Sequence, residues 1–176
     1  MRLIFLGDVV GKSGRDAVAR ELPLLRERFK PDIVVVNGEN AAHGFGISQD
    51  IHQKLLGCGA DVVTLGNHAF DQRETLVFIE REPNLIRPLN WPAGCPGRGT
   101  CMVETAKGQR VLVMNAMGRV MIEPMLDDPF PAVGKELDQC RLGRDCDAIL
   151  IDFHAEVSSE KMAMGHYVDG RASLLV

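Results

Sequence analysis

Apolar residues along this chain change their spacing several times, and the changes trace an alternation of strands and helices. Leu3-Ile-Phe-Leu6 is a short apolar run, and Ser13-Gly-Arg-Asp16 then offers the cap and acid spacing that opens a helix. Val18, Leu22, Leu25 and Phe29 recur at helical spacing until Pro31 closes the pattern. Ile33-Val-Val-Val36 is β-branched without alternation, as in a strand covered on both faces, and it breaks at Asn37-Gly38. Ser48 caps a second helix through Ile51, Leu55 and Leu56. Gly57-Cys-Gly59 stops that helix, and Val62-Val-Thr-Leu65 is the next strand. A third helix is predicted over Arg73 to Glu82.

Beyond Pro83 the pattern loosens. Arg87-Pro-Leu-Asn-Trp-Pro92 and Gly94-Cys-Pro-Gly97-Arg-Gly99 carry the turn residues of a surface loop. Thr100 to Thr105 and Arg110 to Asn115 flank Lys107-Gly108 as a hairpin, and a helix is predicted near Val133 to Leu142. Ala148-Ile-Leu-Ile-Asp152 is a buried strand, followed by a short helix from Ser158 to Gly165 and an apolar run from Ala172 to Val176. The order predicts an α/β fold, a mainly parallel sheet with helices on both faces. At 176 residues and 45% apolar content, one domain spanning 1–176 is expected.

Charge narrows the partners. Twenty basic against twenty-four acidic residues leave −4, without a block of like charge, which argues against duplex nucleic acid and anionic membranes. No apolar run approaches the length of a signal core or a membrane span, so the expected location is the cytoplasm. The five cysteines have no C-x-x-C spacing; reduced thiols are expected rather than a zinc knuckle or disulfides.

In parallel sheets, ligands gather beyond the strand C-termini. Asp8 follows the first strand, Glu39 and Asn40 the second, Asn67 and His68 the third, and His154 the strand ending near Asp152. Each has an ordinary alternative as a turn cap or a loop polar group. Together they need a common cause, because acids gathered on one rim repel one another unless cations neutralise them. Carboxylate, amide and imidazole donors without thiolate suit Mn, Fe or Zn. A glutamate between an aspartate on one side and asparagine plus histidine on the other can bridge two ions. Two rival motifs fail. Gly7-Asp-Val-Val-Gly11-Lys12-Ser13 is one residue short of a P-loop and points an acid at the phosphate position, and Gly44-Phe-Gly46 lacks the third glycine of a dinucleotide fingerprint.

Gly7-Asp8-Val-Val-Gly11, Asn37-Gly-Glu39-Asn40-Ala-Ala-His43-Gly44, Gly66-Asn67-His68 and Asp152-Phe-His154-Ala-Glu156 resemble the metal motifs of calcineurin-like metallophosphoesterases. More narrowly, they resemble the YmdB-like branch of 2′,3′-cyclic-nucleotide 2′-phosphodiesterases. The likeness also takes in Asp127-Asp-Pro-Phe130, Ser159-Glu-Lys161 and Asp169-Gly-Arg-Ala172.

The resemblance implies that Asp8 and Glu39 hold one metal, that Glu39, Asn40, Asn67 and His154 hold the other, and that Glu39 is the bridge. It makes His68 the proton donor; the alternative is that His68 only orients its neighbours. His43 could line the site, and Asp152, Glu156 and Asn115 could support it. The implied cofactors are two divalent or first-row transition metal ions, Fe or Mn ahead of Zn or Mg. The implied reaction is hydrolysis of 2′,3′-cyclic nucleotides to 3′-nucleotides by a hydroxide that the metal pair activates.

Two departures from the wider pattern stand out. Position 10 is Val where the superfamily has a histidine, a loss this branch shares. Family members also continue past Ser173 to Val176 into a Gly-Thr-His-Thr-His segment, whose histidines complete one metal each. The resemblance thus implies that these residues are the N-terminal portion of a longer chain, and that they bind metal weakly by themselves. Two other functions stay open: a phosphatase or nuclease of the same superfamily acting on another phosphate ester, and a metal-poor regulatory protein without catalysis. The expected partner is a small phosphodiester, and a homo-oligomer is compatible with the sequence.

Overall fold

The structure, a computed structural model, describes residues 1–176. Its strands divide between two sheets. The first, in the order β1 (Leu3–Leu6), β2 (Ile33–Asn37), β3 (Val62–Thr64) and β4 (Leu85–Ile86), is parallel throughout. The second has the order β5 (Thr100–Glu104), β6 (Arg110–Met117), β7 (Ala148–His154) and β8 (Leu174–Leu175). In it β5 runs antiparallel to β6, while β6, β7 and β8 are parallel.

Alternation along the strands explains the layering. Ile33 and Val35 of β2 join Val62, Ile86, Val111, Val113 and Leu150 in a core that the two sheets share. Val34 and Val36 point the other way, into a core with Val18 and Leu22 of α1 (Gly11–Phe29) and Ile51 and Leu55 of α2 (Gln49–Gly57). The second sheet repeats the arrangement: Leu112, Met114, Ile149 and Ile151 meet Val133 and Leu137 of α4 (Pro129–Gln139) and Met164 and Val168 of α5 (Ser158–Val168). The α/β class, the parallel pairing and the helices agree with the sequence reading. The unalternating β2 is covered on one face by helices and on the other by a second sheet, where one sheet between helices was expected.

Local signals held unevenly. Ser48 caps α2 by accepting a hydrogen bond from Ile51 N–H at 3.2 Å. The first helix begins two residues before Ser13, with Val10 at its cap position and no side-chain cap, because Gly11 N–H is already bound to the Asn40 carbonyl at 2.9 Å. Where a long third helix was predicted, α3 spans only Thr75–Phe78 and a 3₁₀ turn follows at Ile79–Arg81. Asp128 caps α4, which starts earlier than expected.

The stretch from 87 to 99 is more than a surface loop. Arg87 is buried, and its guanidinium donates to the carbonyls of Pro88, Cys95, Pro96 and Gly97 at 2.9–3.1 Å. Asn90, also buried, donates to the Met117 and Asp127 carbonyls at 2.8 Å and accepts from Met117 N–H at 3.0 Å. These bonds replace water for the loop backbone and tie the edge of the first sheet to β6 of the second. All five cysteines are free thiols, and no helix is long and apolar enough to cross a membrane.

His52 on α2 is fully buried, and neither ring nitrogen finds a hydrogen-bond partner. Burial pushes its pKa down to about 4 from the ordinary 6.5. The Glu82 carboxylate, 3.7 Å away, is too distant to hydrogen-bond. Unfolded chains therefore bind a proton here between those values that the folded chain refuses. Stability is fullest above pH 6.5 and falls as the pH drops towards 4. Denaturant titrations should show the wild type losing about 2 kcal/mol more than His52→Leu between neutral and mildly acid pH. Parallel losses in the two proteins would mean that His52 does not govern this slope.

Candidate metal centre

The rim beyond the C-terminal ends of β1, β2, β3 and β7 is where the sequence-predicted residues lie. Asp8 follows β1 with φ 48°, a left-handed conformation that aspartate tolerates better than most residues. The backbone holds it there. Val9 N–H donates to the Asn37 carbonyl at 3.0 Å and Gly11 N–H to that of Asn40 at 2.9 Å, so the loops after β1 and β2 are stitched together. The Asn40 side-chain amide then donates to Asp8 Oδ1 at 2.8 Å.

Glu39 is the central observation. Its carboxylate is fully buried, and His154 Nε2, at the end of β7, stands 2.9 Å from its Oε1. The approach is out of line for a hydrogen bond, and Oε1 has no other partner. His154 Nε2 also lies 3.0 Å from Asn67 Oδ1. Glu39 Oε2 accepts from His68 N–H at 3.3 Å. A Cβ at residue 66 would overlap the Glu39 carboxylate, which is why glycine stands there. Burial alone would lower the His154 pKa, but Glu39, Asp152 and Asp8 outweigh it and raise it. The field at this point favours positive charge.

Beneath the rim, the layer shared by the two sheets turns from apolar to polar. Asp152, buried on β7, accepts from the Thr64 hydroxyl and from Asn37 Nδ2 at 3.0 Å. Burial pushes the Asp152 pKa up to about 6, against the pull of these two donors. Asn115, beside it on β6, donates to the Asp152 carbonyl at 3.2 Å. The bonds from Asn37 and Thr64 cross from the first sheet to the second and fix β7, and with it His154, relative to Glu39.

His68 points its Nδ1 at Asp71 Oδ2, 2.6 Å away. A carboxylate only accepts, so Nδ1 carries the hydrogen and Nε2 is the free position, 3.2 Å from Asn67 Nδ2. Asn67 thus turns its oxygen to His154 and its nitrogen to His68. A recess of about 300 Å³ opens on the Asp8 and His154 side of the rim, lined also by Gly7, Asp152, Glu156 and Lys161 among others.

The model of the family described as YmdB-like protein matches residues 4–176. The chain belongs to the YmdB-like family. It is 46% identical over 176 residues to the 2′,3′-cyclic-nucleotide 2′-phosphodiesterase of Bacillus subtilis (strain 168), covering all of this chain and 65% of that protein. A crystal structure of a hypothetical protein from Thermus thermophilus superposes with a TM-score of 0.90 at 43% identity, over 99% of this chain and 66% of the other. A crystal structure of a novel phosphatase from Mycoplasma pneumoniae gives 0.86 at 34% identity, over 98% and 61%. The chain thus spans 61–66% of the length of these relatives.

Within the YmdB-like fold, Glu39, Asn67 and His154 share one point, with Asp8 and Asn40 paired next to it. No three histidine, cysteine, aspartate or glutamate side chains gather closely enough to form a metal cluster by themselves; asparagine amides occupy the intervening positions. The donor set nonetheless fits a hard or borderline cation. Glu39 is a buried carboxylate with an oxygen lacking a hydrogen-bond partner, and an amide oxygen and an imidazole nitrogen lie within reach.

His43 stands exposed in the loop after β2, makes no side-chain hydrogen bond, and is not among the residues that converge. Glu156 lines the recess but is exposed. Sequence reasoning passed over Asp71 and Thr64, and it named Asn37 and Gly66 only as motif positions without a role. An acid three residues after His68 was the available signal for Asp71, whereas the bonds of Asn37 and Thr64 reach 115 and 88 residues along the chain.

Gly66→Ala tests the cradle. Displacing the Glu39 carboxylate should weaken Mn²⁺ binding by roughly 10- to 100-fold in calorimetric titration of the whole protein, with far-ultraviolet dichroism unchanged. Wild-type affinity in a folded variant would remove Glu39 from the ligand set.

Proposed function

We propose that the protein is a metal-dependent phosphodiesterase that opens 2′,3′-cyclic nucleotides to 3′-nucleotides. The observation that carries this reading is the buried Glu39 carboxylate, with one oxygen unbonded and facing His154, whose ring nitrogen also meets Asn67. Kinship to a relative of that activity supports it. In this reading Asp8 and Glu39 would hold one ion, and Glu39, Asn40, Asn67 and His154 would hold the other. Two such ions supply positive charge to the phosphate oxygens and make a water acidic enough to attack at neutral pH. Donors without thiolate favour Mn or Fe.

The chain's own residues then account for binding and proton transfer. Lys161 lines the recess and attracts the phosphate. Water adds to phosphorus opposite O2′, releasing its proton to solvent, and the P–O2′ bond breaks. His68, in its doubly protonated form and held by Asp71 through Nδ1, delivers the Nε2 proton to O2′ and is left as the Nδ1–H tautomer. Once that proton has left, the bare Nε2 accepts from Asn67 Nδ2. A net charge of −4 favours a small phosphodiester over duplex nucleic acid, and five free thiols suit the reducing cytoplasm.

The test is a pair of substitutions in the whole protein. His68→Ala should retain the metals yet slow cyclic-nucleotide turnover by roughly 10²- to 10⁴-fold. A nitrophenyl phosphodiester, whose leaving group needs little protonation, should suffer less. Glu39→Ala should lose metal, measured by elemental analysis, together with activity on both substrates. Equal losses on the two substrates in metal-replete His68→Ala would reassign His68 to holding phosphate, and a wild type that binds no metal would leave the regulatory reading in its place.

A further inference from the structure

We propose that Phe45 is a stacking platform for the base of the cyclic nucleotide, set beside the oxygen at which the cyclic phosphate opens. This inference rests on the phosphodiesterase reading above. Phe45 is the most exposed phenylalanine in the chain, at 57%. A large apolar side chain standing in water on a loose loop would need no explanation. This loop is not loose.

The loop after β2 is closed on itself and fastened to its surroundings. Gly44 N–H donates to the Asn40 carbonyl at 3.0 Å, Phe45 N–H to that of Ala42 at 3.0 Å, and Ala42 N–H to that of Gly46 at 2.9 Å. Gln72 Nε2 donates to the Phe45 carbonyl at 2.6 Å, and Arg15 donates to that of Ala41. Gly44 and Gly46 take φ values of 92° and 75°, and a Cβ on Gly46 would press against the His68 carbonyl at 3.0 Å. The Phe45 loop and the His68 turn are therefore packed as one unit, with Ala41, Ala42 and Ala69 in the core beneath. Phe45 is presented on a rigid support, which keeps low the ordering cost of binding something on it.

Its position selects the ligand. The Phe45 ring stands perpendicular to the His68 imidazole, with centroids 5.2 Å apart and an interplanar angle of 89°. More than half of the residue is open to solvent. In a nucleoside 2′,3′-cyclic phosphate, O2′ is borne by the carbon next to C1′, the carbon that carries the base. A side chain that touches the acid protonating O2′ is thus placed to touch the base, and a planar aromatic group offers what every base can use, a face to stack on. The same contact sets which ester bond opens. With the base laid on Phe45, O2′ is turned to His68; without that hold the ring can present O3′ instead, and opening there gives the 2′-nucleotide.

The experiment compares adenosine 2′,3′-cyclic phosphate with ribose 2′,3′-cyclic phosphate, which lacks the base, in the whole Mn²⁺-loaded protein. Phe45→Ala and Phe45→Leu should lower kcat/KM on the nucleotide by about 10- to 50-fold more than on the base-free ester, the range expected for one lost stacking contact. They should also raise the share of 2′-nucleotide among the products, and Phe45→Trp should restore both. Equal losses on the two substrates, or rescue by Leu, would overturn the platform and leave Phe45 as packing for His68 while cyclic-nucleotide hydrolysis stands. A wild type that hydrolyses other phosphate esters but neither cyclic phosphate would overturn the phosphodiesterase reading, and the base platform with it.

Discussion

A fully buried carboxylate with one oxygen left without a hydrogen bond is the constraint on which this structure turns. Removing an ionised acid from water costs several kcal/mol even after the surroundings relax. Glu39 incurs that cost at the mouth of the two-sheet core, with only the His68 N–H bonded to one oxygen and the His154 ring out of line at the other. The acids around His154 outweigh its burial and raise its pKa, so the surroundings favour positive charge at this place. Metal ions would supply it, since several donors already converge on that place and a bound cation exchanges for a proton on the imidazole.

The two sheets divide the labour of making that point. The first contributes Asp8, Glu39, Asn40, Asn67 and His68 from the loops beyond three of its strands, and the second contributes His154 from the end of β7. Neither sheet has the full set. Their docking at this end is polar, through Asn37 and Thr64 onto Asp152, and elsewhere apolar, through residues such as Val35, Ile86, Val113 and Leu150. Apolar contact brings the sheets together without fixing direction. The hydrogen bonds to Asp152 set the register at the rim, where an ångström decides whether two residues can share an ion.

How much of this was legible in the sequence depended on how local its cause was. Unbroken β-branched runs gave away β2 and β3, and Ser48 gave away the start of α2, because period and cap are written within a few residues. The division into two sheets was not, since Val34 and Val35 look alike until it is known that one faces a helix and the other a strand. A third helix was overcalled because the apolar spacing in 73–82 serves a short helix and a 3₁₀ turn equally well. The loop at 87–99 looked exposed because its composition is that of turns, whereas its order comes from Arg87 and Asn90, whose burial no local pattern records. For the site, residues placed directly after strands were recoverable by position. Those acting across the sheets, Asn37 and Thr64 on Asp152, were not.

Rigidity and exposure are distributed over the rim in a way that follows from what each part must do. Glu39, Asn37, Thr64 and Asp152 are buried, so their geometry is set by packing and cannot drift as solvent does. Asn67, His68 and His154 are partly exposed, as groups must be that exchange protons or meet a ligand. Asp71 and Phe45 are exposed, but each is fixed by contact with His68, one through a hydrogen bond and one through its ring. His68 thereby joins the buried half of the site to its open half. Its backbone amide is bonded to Glu39, while its imidazole faces Asp71, Asn67 and Phe45. A shift in the buried carboxylate is felt directly at the backbone of the residue proposed to move the proton, so charge placement and proton transfer on this rim cannot be tuned independently.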